Sequence, residues 1–191
     1  MKKGFTVVLL LLVIVSGAAA SSALALRGGL GIVHFSHSAP DGGKTVSSGS
    51  NGLHFQADWD IFMTENTAFN LQGDLDVGRK SYMNGTNLTS QAGYGIRAGF
   101  DWNLEFLRLG AGIRWQVFYA GDKGEIGSVS GLLASFNVDF ICETLILGIE
   151  YAYPLKAWIK ESGKDRRELS LNRVLFDTGA FFAYAGVRCT F

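Results

Sequence analysis

The feature that most constrains this chain is an alternation of apolar and polar residues with a period of two. From Leu53 to Met63, one parity holds Leu53, Phe55, Ala57, Trp59, Ile61 and Met63; the other holds His54, Gln56, Asp58, Asp60 and Phe62. Successive side chains on a strand point to opposite faces, so such a run specifies a β-strand rather than a helix. Further runs lie near 68–77, 92–102, 107–119, 132–140 and 145–153. A first strand near Leu26–Ser36 and a last near Thr178–Phe191 follow the rule less cleanly, which makes eight strands. With 25 Gly against 2 Pro, the composition suits long regular ladders.

The connections alternate as well. Thr64–Thr67, Asn103–Glu105 and Glu143–Thr144 read as tight turns. The segments Ser36–Asn51, Gly78–Ser90, Ala120–Ser130 and Lys156–Asp177 read as long polar or Gly-rich loops. Short turns at one end and long loops at the other describe an antiparallel up-and-down barrel.

A membrane barrel and a soluble lipocalin-like barrel share this pattern and differ in where the apolar face points. The apolar parity carries Trp, Phe, Tyr, Leu and Ile, too much bulk for the inside of eight strands. The opposite parity is rich in Gly93, Gly95, Gly99, Gly110, Gly112, Gly148 and Gly186, interspersed with Asp, Arg and Gln. Small and charged residues fit a narrow lumen, so the apolar face points outward, toward lipid. The fold class expected is all-β: an eight-stranded antiparallel up-and-down transmembrane β-barrel. Trp59 and Trp102 fall near the short-turn ends; Trp115, Tyr119, Tyr151 and Tyr153 fall toward the loop ends, as two interfacial girdles require.

Lys2 and Lys3, an apolar run from Phe5 to Val15 and the small residues Ala18–Ala20 and Ala23–Ala25 read as a secretory leader. Cleavage after Ala25 is favoured, with Ala20 as the alternative, giving a leader over 1–25 and a barrel over 26–191. A leader followed by a membrane barrel implies the bacterial outer membrane, with outer-membrane lipids as partners. A formal net charge of zero gives no sign of a nucleic-acid partner.

The final segment, Phe181 to Phe191, places Phe181, Ala183, Ala185, Val187, Cys189 and Phe191 at every second position and ends on Phe. It resembles the closing strand of bacterial outer-membrane barrels, although the slot of Cys189 is usually aromatic there. With the leader and eight strands, the chain resembles the small barrels of the OmpA transmembrane, OmpX and OmpW class. That resemblance implies Phe181, Val187, Cys189 and Phe191 as an assembly signal. It implies the barrel-assembly machinery and periplasmic chaperones as partners, and no catalytic residue or cofactor.

Inside the barrel, Asp58, Asp60, Asp74, Asp76, Asp101, Asp139 and Glu150 face Arg97, Arg108, Arg114 and Arg188. Charges in a narrow lumen need partners, so an ion-paired network that blocks a pore is expected. By height, Asp74 matches Arg97, and Glu150 and Arg188 lie on adjacent strands. Pro154, inside strand seven, reads as a bulge or strand end; the alternative is a weak seam for sideways passage of an apolar molecule, as in the OmpW class.

His34-Phe35-Ser36-His37-Ser38 offers histidine bases beside serine nucleophiles, the ingredients of a lipid A-modifying enzyme. The segment departs from the deacylase pattern, and no catalytic residue is expected. His34, His37 and His54 lack metal-ligand spacing, so no metal is expected. Cys142 and Cys189 fall on strands six and eight, about 10 Å apart at two strand spacings, and are expected as separate thiols. The last loop interleaves Lys156, Lys160, Lys164, Arg166, Arg167 and Arg173 with acids, a solvated face or a patch for anionic headgroups or host surface glycans. The function expected is a non-enzymatic surface barrel with interaction loops; the alternatives are a narrow channel or lateral transporter and a lipid A-modifying enzyme.

Overall fold

The computed structural model describes residues 22–39, 44–122, 125–172 and 174–191. The strands are β1 (Ser22–Ser38), β2 (Thr45–Phe62), β3 (Thr67–Met83), β4 (Thr86–Leu104), β5 (Leu107–Asp122), β6 (Glu125–Cys142), β7 (Leu145–Lys160), the two-residue β8 (Arg167–Glu168) and β9 (Gly179–Thr190). Each pairs antiparallel with its sequence neighbour from β1 to β7. β9 then pairs with both β7 and β1, so eight strands close into a ring. Closure leaves no edge strand, which is how a barrel satisfies its backbone donors and acceptors.

The expected leader falls on residues outside the described ones, except for its last four. Ser22–Ala25 are strand: Ala23 pairs with Asp60 on β2 and with Thr190 on β9.

The three tight turns are where the alternation ends. Glu105 and Glu143 take positive φ values of 49° and 53° to reverse the chain within two residues. Three of the four expected long loops are instead short. β2 starts at Thr45 and β3 runs to Met83, where Asn84 and Gly85 (φ 50° and 78°) make a two-residue hairpin turn. β5 and β6 meet across two residues. These segments are polar because their strands continue past the apolar band, and outward polarity there does not stop the ladder. Among the described residues, the long connection is 161–178.

Register shifts lie at Asn51/Gly52, Ser90/Gly93 and Leu132/Leu133. At the last, Leu132 pairs with Lys156 and Leu133 with Pro154, so β7 carries one extra residue there. Pro154 therefore sits at a bulge, just past the final β7–β9 pair of Ala152 with Ala180. A residue without an N–H is tolerated at such a place.

β9 reaches only to Gly179, opposite His34, while β1 and β7 run further toward the hairpin end. The connection fills the gap. Arg167 and Glu168 pair with Ile159 and Trp158, and the Leu169 N–H donates to the Ala157 carbonyl. On the other side, the Ser38 N–H donates to Ser170 and the Asn172 N–H to Ser36. Residues 167–172 are thus a substitute strand completing the outer half of the wall.

Outward positions are greasy: Leu26, Leu30, Ile96, Phe136, Leu147 and Ile149 are each about half exposed or more. Inward positions are buried and mostly polar toward the short turns. Toward the hairpins they are apolar, with Val33, Phe35, Phe118, Val129, Leu133, Ile159 and Phe182 in one cluster that Leu169 joins.

Candidate functional site

The lumen is the chemically dense part of the molecule, and its arginines organise it in tiers. Nearest the short turns, Arg108 donates to Asp60 and Asp139, both at 2.6 Å, and lies 3.5 Å from Asp101. Arg27 pairs with Asp58 at 2.5 Å and with Asp139 at 3.4 Å. Arg188, at the rim, reaches Asp60 at 3.2 Å. The Tyr184 hydroxyl donates to Asp139 at 2.8 Å.

One tier up, Arg97 donates to Ser135, Asn70 and Asn137 at 2.6–2.8 Å and lies 3.6 Å from Asp101. Above it Arg114 grips Glu150 with two parallel bonds of 2.9 and 2.8 Å and donates to Asp74 at 2.5 Å. This bidentate fork is the strongest geometry a guanidinium offers a carboxylate. Next come His54, 2.6 Å from Asp76, and Gln116, which also donates to Asp76. Phe182 separates this tier from the apolar cluster, stacking on His54 at 4.1 Å and lying under the Arg114 guanidinium at 4.6 Å.

Glycine makes the bore wide enough for these ions. A Cβ on Gly95 would collide with Asp74 and Gln116, and one on Gly110 with Asp101 and Asn137.

Several expectations change. The Asp74–Arg97 pair does not form: Asp74 belongs to Arg114, and Arg97 spends its donors on amide and hydroxyl oxygens. Glu150 pairs with Arg114 and not with Arg188, because it lies opposite Phe182 in the ladder while Arg188 lies near Thr144. Asp58, Asp74, Asp76, Arg97, Arg114, Glu150 and Arg188 do all line the interior. Arg27 was missed, since Gly28 and Gly29 blur the parity of β1. The apolar upper lumen was also missed: Phe35, Phe118, Leu133 and Phe182 sit on the inward parity, which is the signal that reveals it.

The three histidines take separate partners. His34 Nδ1 meets the Tyr82 hydroxyl at 2.7 Å, and His37 Nε2 meets Ser48 Oγ at 2.9 Å. The hydroxyl beside His37 is therefore that of Ser48, while Nδ1 meets the backbone carbonyl of Ser38 at 3.0 Å, and both members of the His37–Ser48 pair are sealed from solvent. His54, Asp74 and Asp76 bring ligand-capable atoms within 4.8 Å of one another. Arg114 donates to Asp74, and Gln116 and His54 meet Asp76, so both carboxylates already have hydrogen-bond partners. Cys142 and Cys189 are exposed and unbridged at the short-turn rim. Phe181 and Val187 project outward from β9, and Phe191 is bonded through its backbone to Ser22.

No family model matches the chain, and no curated protein matches it. Among solved structures, Ail, the attachment invasion locus protein of Yersinia pestis, is similar at 14% identity, covering 88% of this chain and 98% of that one, with a TM-score of 0.45. Neisserial surface protein A is similar at 15% identity over 90% and 97% of the two chains, with a TM-score of 0.47. A major outer membrane protein from Thermus thermophilus is similar at 9% identity over 90% and 100%, with a TM-score of 0.46.

Proposed function

We propose that this chain is an integral protein of a bacterial outer membrane, a non-enzymatic barrel with a plugged lumen that presents its hairpin end to the exterior. One observation carries the reading: a continuous outward band of large apolar side chains around a charged, buried interior. In water such a band would drive association; in a bilayer it is the required surface. Its height fits. Trp102 pairs with Leu109, and Tyr119 lies ten residues further along β5. Ten residues at ~3.3 Å, tilted ~40°, rise about 25 Å, the height of the apolar band of outer-membrane barrels.

Two layers close the bore, the ion-paired tiers and the apolar cluster above them. The sealed His37–Ser48 pair gives a substrate no approach, which supports the non-enzymatic reading. The surface left for ligands is the outer wall and the hairpin tips.

Refolding tests this directly. The mature chain should reach a heat-sensitive, fast-migrating folded form in detergent or lipid vesicles and stay unfolded or aggregated in plain buffer. A folded monomer in buffer without amphiphile would overturn the membrane reading. In planar bilayers the folded protein should carry no steady current; stable conductance steps would overturn the plugged lumen.

A further inference from the structure

We propose that the outer wall across β3 to β7 holds one phospholipid of net negative charge, its phosphate on Arg166 and Lys160 and an acyl chain in the groove beneath Trp115. The proposal rests on the membrane-spanning reading above and adds a specific occupant to it.

Arg166 leaves the long connection and folds back against the outside of β6. Its guanidinium lies 4.7 Å from the Trp158 ring centroid and 5.4 Å from that of Trp115, and it donates to Ser130 Oγ at 2.9 Å. The two indoles are 5.4 Å apart. Stacking on aromatic faces fixes the guanidinium plane and leaves its edge donors to a partner.

The neighbouring cations already have carboxylate partners. Lys164 and Arg167 pair with Glu161, and Lys156 with Glu168. Among the described residues, neither Arg166 nor Lys160 forms an ion pair. Both line a recess of about 520 Å³ together with Tyr94, Trp115, Ser130 and Asp165. Two cations against one carboxylate leave the recess positive, suited to an anion.

A second recess, of about 540 Å³, adjoins the first and shares Trp115. Its walls are Leu71, Ile96, Ala98, Ile113 and Leu132, and it is open at Gly73, where a Cβ would meet nothing within 4 Å. A positive pocket continuous with an apolar groove matches an anionic amphiphile and not a soluble anion. A phosphate offers the guanidinium edge the paired oxygens that it binds best.

The test is native mass spectrometry of the folded protein released from detergent with phosphatidylglycerol, with phosphatidylcholine, or with glycerol phosphate. The intact protein should retain one phosphatidylglycerol and little phosphatidylcholine. Arg166→Gln should cut retention about tenfold, the effect of one charge-assisted contact. Gly73→Leu, which fills the groove and leaves the charges alone, should also cut it. Equal retention of phosphatidylglycerol by both variants and the parent overturns the proposal. So does equal retention of glycerol phosphate, which would make the occupant a soluble anion. Heat-shifted gel mobility of the same samples reports folding in the amphiphile, so a failure of the membrane reading shows there first, apart from the lipid result.

Discussion

At the scale of single residues, Arg114 is the most consequential side chain in the lumen. It is fully buried and is the paired cation of both Asp74 and Glu150. Arg114→Met strands two carboxylates in a poorly hydrated space and should cost about 3–5 kcal/mol, the penalty for breaking a buried pair from one side. Unfolding in urea from detergent micelles measures it. Adding Asp74→Asn and Glu150→Gln should recover more than half of the loss, because the charge left behind is what destabilises. Arg97→Met should cost less, since its close partners are Ser135, Asn70 and Asn137 and its nearest carboxylate is 3.6 Å away. Such partner choices were not legible in the sequence. Parity shows which residues face inward, but the tier at which each guanidinium ends depends on ladder register and side-chain reach.

At the scale of elements, the eight strands and three tight turns were legible because burial enforces period two wherever one face meets a dry phase. The outer halves of β2, β3 and β6 were not. Ser47, Lys80 and Ser128 lie beyond the apolar band, where outward and inward faces no longer differ enough to mark a strand. The substitute strand at 167–172 is equally silent, since its pairing depends on where β9 stops. Two outcomes follow from these elements. Ser22–Ala25 are built into β1, so the mature protein should begin at Ser21 and not at Leu26; N-terminal sequencing decides. The second concerns Glu161, which anchors the long connection to the β3–β4 turn. It accepts from Lys164 and from Asn84, the latter at 2.7 Å, and these bonds hold its carboxyl below the ordinary value against a smaller opposing effect of burial. A depressed carboxylate contributes stability above its unfolded value and loses it as pH falls. Amide hydrogen exchange of 161–178, corrected for its intrinsic pH dependence, should therefore quicken below about pH 4, and Glu161→Gln should make it more nearly independent of pH.

At the scale of the whole molecule, the wall has a polarity set by its connections. The short-turn rim carries both thiols, Cys142 and Cys189, exposed beside the turn and the chain end. With the hairpins outward, a membrane-impermeant maleimide should leave intact cells unlabelled and label both thiols once the outer membrane is permeabilised. Labelling of intact cells would invert the orientation. The shortness of β9 has a consequence for how this object can be built and altered. Its pairing with β1 and β7 seals only the turn-proximal half of the cylinder, so on the proposed function the segment that the resemblance implies as an assembly signal completes the part lodged among lipid tails. The distal half is sealed by a different stretch, which docks through a handful of backbone contacts and the side chains of Leu169 and Leu171. On that reading, assembly and surface recognition sit on separate pieces of the polypeptide, and the second can diversify while the first stays fixed.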